Sequence, residues 1–175
     1  MHTLHSGRGT LFSEIPAGTA FRCTYEQHPL IGLKISDRDR ALVLAIAPGN
    51  PQAPLGKVIL GDEVGDKPVV ALENLVIIPS EREGAASAAG TSATHLEIEL
   101  RGNDLFLVIT PGRGESRRVN LRTGDVGSAP PERTAEIYTR WALVQELGGE
   151  RRTIFEHRPA VEELARVQPI VERVP

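Results

Sequence analysis

The chain of 175 residues has few cysteines, few aromatic residues and no long apolar run. Its one cysteine, Cys23, cannot form an intramolecular disulfide, so the sequence gives no sign of an oxidising compartment. Its longest purely apolar run, residues 41–47, is much shorter than the roughly 20 residues of a membrane-spanning helix. Aromatic residues make up only 4%, which disfavours a surface on which nucleic-acid bases stack.

Charge and the N-terminal sequence favour a cytoplasmic protein. The first residues lack the basic start and apolar core of a secretory signal, so we expect a cytoplasmic localisation and no membrane partner. The formal net charge of −3 gives no overall attraction to nucleic acid, which we therefore do not expect as a partner.

Catalytic and metal-binding motifs are missing from the sequence. Apart from His2 and His5, no histidines are spaced as metal ligands, and a zinc site needs at least three protein ligands in a rigid frame. Neither the G-x-S-x-G nucleophile elbow nor the G-x-x-x-x-G-K phosphate loop occurs. We therefore assign no catalytic residue, metal site or cofactor, and favour a protein without enzymatic activity.

Turn residues at short intervals predict an all-β fold. The 17 glycines and 13 prolines, with Asn and Asp, separate short runs that are apolar or alternate between apolar and polar residues. In the first half these predicted strands are 19–26, 30–36, 41–46, 57–60 and 69–78. This spacing is typical of small antiparallel barrels or sandwiches and not of parallel βαβ units.

The second half contains the clearest hairpin. Leu96, Ile98 and Leu100 alternate with Glu97, Glu99 and Arg101, which predicts a half-buried strand with an outward polar face. Gly102 and Asn103 form the turn before a second strand over 105–110, and a third strand follows over 117–122.

Residues 133–157 fit two interpretations. Apolar residues at helical spacing between Pro131 and Gly148 predict a helix. The same residues also fit two strands around the Gly148–Gly149 turn, and we favour the strands because the neighbouring sequence is rich in β patterns.

A run of small residues divides the chain. Residues 84–94, GAASAAGTSAT, predict a protease-sensitive linker or disordered loop between β modules at 1–83 and 95–158, with a C-terminal tail or short helix at 159–175. Residues 57–68 resemble residues 118–130 in their V-x-L, G-D and V-G pairs, which favours an internal duplication. In the first of these segments, GDEVGD carries Asp62, Glu63 and Asp66 and is typical of a solvated hairpin turn.

Four arginines lie close together in a chain of negative net charge. Arg113, Arg117, Arg118 and Arg122 surround the third strand of the second module, and guanidinium groups bind phosphate through paired hydrogen bonds. They form the candidate anion-binding residues, although an exposed basic sheet edge has the same composition.

These observations lead to three hypotheses about function. The first is a non-enzymatic binding or assembly protein that acts through a protein partner or by self-association, because small open sheets leave strand edges that must be paired or covered. The second is a metal-independent hydrolase or isomerase that uses Cys23, His28, Asp62 or Glu63. The third is weak binding of nucleic acid or another anion by the four arginines.

Overall fold

The computed structural model describes residues 9–65, 67–82, 95–110, 115–127 and 135–158. Of these residues 60% lie in strands and 6% in helices, and two antiparallel sheets of six and seven strands contain all the strands. The predicted all-β antiparallel fold is confirmed. Neither short helix in the described ranges has the length or apolar character to cross a bilayer.

The first sheet is formed by residues 9–71. Its strands, in spatial order, are β1 (Gly9–Leu11), β6 (Pro68–Ala71), β2 (Ala20–Tyr25), β3 (His28–Asp37), β4 (Arg40–Ala45) and β5 (Val58–Leu60). Two-residue turns at Glu26–Gln27 and Arg38–Asp39 join β2 to β3 and β3 to β4. The sheet therefore ends in three-residue strands, β1 on one side and β5 on the other.

The second sheet is formed around one long strand. In spatial order its strands are β11 (Val126–Gly127), β10 (Arg117–Asn120), β9 (Asp104–Ile109), β8 (Ile98–Arg101), β12 (Glu136–Leu147) and β13 (Glu150–His157), and β7 (Leu75–Arg82) also pairs with β12. The predicted turns at Gly102–Asn103 and Gly148–Gly149 both join paired strands. Residues 136–157 are therefore a hairpin and not a helix.

Two predicted elements differ from the structure. The predicted single strand 69–78 is two strands, because a turn at Glu73–Asn74, with Asn74 at a φ of 58°, sends β6 and β7 into different sheets. The predicted hairpin turn after β5 is instead a helical turn, α1 (Gly61–Val64). It connects β5 to β6, which are not neighbours in the sheet, so a tight hairpin cannot join them.

The first sheet buries both of its faces. One face packs with Phe12, Ile15 and Val64 into a core cluster that contains Phe21 and Val43. The opposite face packs against the second sheet in a larger cluster, which joins side chains from both sheets: Ala20, Leu33, Ile35, Leu44, Ile46, Ala47, Ile98, Leu107, Ile109, Val119, Trp141 and Leu143. Burial on both faces explains why residues 43–47, all of them buried, are continuously apolar.

The division of the sequence into two modules does not coincide with the two sheets. Strand β7, which lies before the predicted linker, pairs with β12 of the second sheet, and both sheets share the larger core cluster. The linker at 84–94 and the tail at 159–175 lie outside the described residues, so the boundary between the modules and the proposed duplication stay predictions.

A close backbone contact joins one corner of the two sheets. Ser36 forms a parallel bridge with Asp125, and its N–H donates to the Gly124 carbonyl at 2.9 Å. Gly124 has a φ of 75°, and a Cβ atom at this position would lie 2.3 Å from the Gly18 nitrogen. Glycine is therefore required for the two backbones to approach this closely.

Candidate functional site

Three of the four predicted anion-binding arginines are described, and their environments differ. Arg113 is outside the described residues, whereas Arg117, Arg118 and Arg122 each bind a different carboxylate. Strand β10 ends at Asn120, so Arg122 lies in the following turn and not in line with Arg118. The anion-binding role of these residues stays a prediction.

Arg118 forms a buried ion pair with Glu99. Its Nε and Nη2 atoms donate to the two carboxylate oxygens at 2.7 and 2.9 Å, and Arg101 donates to Oε2 at 2.7 and 3.0 Å. Glu99 is only 1% exposed, so its predicted outward position is wrong. Burial raises the pKa of Glu99, but the hydrogen bonds and charges of the two arginines outweigh it, and the pKa lies below its usual value.

Arg117 and Arg122 are both exposed and pair with different carboxylates. Arg117 donates to Asp37, so this exposed ion pair links β10 of the second sheet to β3 of the first. Arg122 is 74% exposed and donates to Asp104 from Nε at 3.1 Å and from Nη2 at 2.7 Å.

The Arg117–Asp37 pair lies at the rim of a groove between the two sheets. The groove has a volume of about 790 Å³ and lies where both sheets end, at β5 and at β11. We call it the inter-sheet groove. Its apolar lining consists of Ile35, Leu42, Val58, Leu60, Ile109 and Val126, and its charged rim consists of Asp37, Arg38, Arg40, Glu115 and Arg117.

The apolar lining is incompletely covered. Ile35 and Ile109 are buried at its base, whereas Leu60 on β5 is 52% exposed. An exposed leucine beside half-buried Leu42 and Val58 provides apolar surface that a bound partner would remove from water.

Arg38 and Arg40 place two exposed guanidinium groups at the rim. They flank Asp39 at the β3–β4 turn, are exposed and have no carboxylate partner among the described residues. The groove lining has three arginines and two carboxylates, and Asp39 and Asp62 line the adjoining cleft, so the two guanidinium groups act locally and not through a net positive charge. These two arginines were not among the predicted site residues, although the charged stretch SDRDR between two apolar strands indicates an exposed hairpin turn.

A second cleft continues from the groove past Leu60. It has a volume of about 710 Å³, shares Arg40, Leu42 and Leu60 with the groove, and extends to Phe12 and Asp62. The two concavities together form an elongated surface around the end of β5. Such a shape suits an extended chain better than a compact small molecule.

Lys34 borders this second cleft but is held by the backbone. Its ammonium donates to the carbonyl oxygens of Phe12 at 2.9 Å, Ser13 at 3.3 Å and Ile15 at 2.6 Å. Burial lowers the pKa of Lys34. Because three carbonyls accept from its three N–H donors, Lys34 fixes the 3₁₀ turn at Phe12–Glu14 and has no donor left for a ligand.

The backbone of β5 has hydrogen-bonding groups on its outer edge. Ala45 exchanges hydrogen bonds with Gly56 and Lys57, and alternation along the antiparallel pair makes Val43 and Ile59 the next bonded pair. Val58 therefore directs its N–H and carbonyl away from β4, towards the open side of the sheet.

The residues of the hydrolase hypothesis lie in separate settings. Cys23 belongs to the core cluster of the first sheet, and burial raises the pKa of its thiol to about 11. Glu63 accepts a hydrogen bond of 2.7 Å from Tyr25, which raises the pKa of the tyrosine to about 12. His28 is exposed at the start of β3, and Asp62 lines the second cleft. Within the described ranges, no three His, Cys, Asp or Glu residues are arranged to hold a metal ion.

Comparisons with known proteins give no further guide to the site. No protein-family model, curated protein sequence or solved structure matches the chain.

Proposed function

We propose that this chain is a binding protein that takes an extended, acidic segment of a protein partner along β5. The observation that carries the proposal is the inter-sheet groove, which joins an exposed leucine, an open strand edge and two arginines without carboxylate partners in the described ranges. A segment of a second copy of this chain is the alternative occupant.

Strand addition accounts for the backbone and apolar parts of the groove. An extended peptide beside β5 would pair with the N–H and carbonyl of Val58, and alternate side chains would contact Leu42 and Leu60. Three residues are too few for strong pairing alone, so side-chain contacts in the two clefts must supply specificity.

The rim supplies the preference for acidic residues. Arg38 and Arg40 lie on the same hairpin turn, where carboxylates of a bound segment would form charge-assisted hydrogen bonds with their guanidinium groups. Because these arginines are exposed, the attraction acts mainly on the association rate and weakens with added salt.

Selection of a peptide library on the purified protein tests this proposal. We expect the selected peptides to alternate acidic and apolar residues, and Leu60→Asp to weaken their binding by about tenfold or more, because it places a like charge in the apolar groove. Leu11→Asp is the matched control, since Leu11 is an exposed leucine on the opposite edge strand of the same sheet.

A charge-reversal pair tests the acidic preference separately. Arg38→Glu with Arg40→Glu should weaken binding, whereas Arg152→Glu at an exposed position of β13 should leave it unchanged. Peptides that bind the Leu60→Asp and wild-type proteins equally would place the interaction elsewhere. Light scattering that shows a dimer lost in Leu60→Asp would instead identify a second copy of the chain as the occupant.

A further inference from the structure

A further opening, separate from the inter-sheet groove and from the second cleft, leads into the core that the two sheets share. It lies away from the inter-sheet groove and has a volume of about 330 Å³. Its deep walls are formed by side chains of the shared core cluster, Ala20, Leu33, Ile46 and Leu143, all of which are buried. We call it the core pocket.

Five large apolar side chains around the core pocket are only half-buried. They are Leu72, Leu75, Ile77, Leu105 and Leu121, all of which pack against the same core cluster. An apolar molecule that replaces water against these partly exposed side chains lowers the free energy of the system, because it removes apolar surface from water.

The volume of the core pocket limits the size of its ligand. An apolar cavity of about 150 Å³ is large enough for benzene, so about twice that volume accommodates roughly ten to twelve non-hydrogen atoms. A compact ring system or an alkyl chain of about eight carbons fits this limit.

The mouth of the pocket is polar but carries no excess charge. Arg122 and Asp104 neutralise each other there, and Thr19, Asn74 and Asn103 add neutral hydrogen-bonding groups. A free carboxylate would have to compete with Asp104 for Arg122. An uncharged polar group would leave this ion pair intact.

Strand β7 leaves backbone hydrogen-bonding groups beside the core pocket. The Asn74 carbonyl accepts from the Glu146 N–H at 2.9 Å, so alternation directs the N–H and carbonyl groups of Leu75 and Ile77 away from β12. Among the described strands, β7 pairs with β12 alone, and Leu75 and Ile77 line the pocket.

We propose that the core pocket binds an uncharged apolar small molecule of about ten non-hydrogen atoms that carries one hydrogen-bonding group, such as a medium-chain alcohol. The binding site is independent of the inter-sheet groove, so either proposal can fail without the other.

Titration with straight-chain alcohols, followed by calorimetry and by backbone amide NMR, tests the proposal. We expect saturable one-to-one binding of 1-octanol, with shifts of the amide signals of Leu75, Ile77, Leu105 and Leu121. Affinity should rise about fourfold per methylene up to roughly eight carbons and then level off, because longer chains exceed the pocket. A continuous rise without a limit would indicate adsorption to a surface and overturn the proposal.

Substitutions that fill the pocket provide the second arm. Leu105→Trp should weaken 1-octanol binding by about tenfold or more. The unfolding midpoint shows whether this variant folds. If it does not fold, Leu121→Phe takes its place in the experiment. Leu60→Trp in the inter-sheet groove is the matched control and should leave the affinity unchanged. An equal loss in Leu60→Trp, or tighter binding of octanoate than of 1-octanol, would overturn the assigned site or the assigned ligand class.

Discussion

At the scale of single residues, the buried Glu99 is the most consequential charge in the described structure. Its carboxylate accepts from both Arg118 and Arg101, and all three side chains are largely removed from water. Loss of the carboxylate would leave two guanidinium groups without their anion in a poorly hydrated site. Removing one partner of a buried ion pair is far more costly than removing an exposed pair.

Glu99→Gln should therefore lower the free energy of unfolding at pH 7 by about 3 kcal/mol. Asp104→Asn, which breaks the exposed pair with Arg122, is the matched control and should change it by about 0.5 kcal/mol or less. Urea unfolding of both variants measures the difference. Equal losses in the free energy of unfolding would show that the buried Glu99 ion pair contributes no more than the exposed Asp104–Arg122 pair.

The pKa of Glu99 gives this prediction a pH dependence. Because the folded-state pKa lies below the unfolded one, the unfolded state binds more protons between the two values. The stabilisation is complete above the unfolded pKa and is lost as the pH falls through the folded one. The gap between wild type and Glu99→Gln should narrow in acid over that window, and a gap independent of pH would contradict the assignment.

At the scale of elements, the contact between the Gly18 and Gly124 turns holds one corner of the two sheets. A methyl group on Gly124 would meet the Gly18 backbone, whereas one on Gly148 would meet nothing within 4 Å, although both glycines have positive φ. Comparing alanine substitutions at the two glycines therefore separates the cost of a positive φ from the cost of a steric clash.

Gly124→Ala should lower the free energy of unfolding by about 3 kcal/mol or more, and Gly148→Ala by about 1 kcal/mol, which reflects the positive φ alone. Urea denaturation curves of the two variants check this order. If Gly148→Ala were as damaging as Gly124→Ala, close packing at the corner would not contribute to stability.

The strands and turns were easier to predict from the sequence than the contacts that their side chains make. Asn and Gly at turns revealed the hairpins at residues 102–103 and 148–149, because turn chemistry is local. Alternation around Glu99 showed that residues two apart share a face, but not that Arg101 and Arg118 would accompany this carboxylate on a buried face. The inter-sheet groove was not predictable, since its lining comes from six strands whose arrangement depends on long-range packing.

At the scale of the whole molecule, the two sheets depend on each other. Their shared core cluster places Leu44 and Ile46 of the first sheet beside Trp141 and Leu143 of the second. Neither sheet can expose this face to water without losing much of its apolar burial, so both should unfold together.

Two probes placed in different sheets test this cooperativity. Trp141, the one tryptophan, reports on the second sheet through its fluorescence, and the thiol of Cys23 reports on the first sheet through its reaction with a disulfide reagent. We expect the two urea transitions to have the same midpoint. Separate midpoints would mean that the sheets are independent folding units.

The pairing of β7 with β12 also bears on how the chain reaches this structure. Ile77 pairs with Leu143, which closes a loop of about 65 residues, so the second sheet has high contact order and should form slowly. During synthesis the apolar segment at 75–78 would leave the ribosome well before β12 and would remain unpaired until β12 has been synthesised. Pro79 removes a backbone donor directly after this segment, which limits pairing with strands of other chains in that interval.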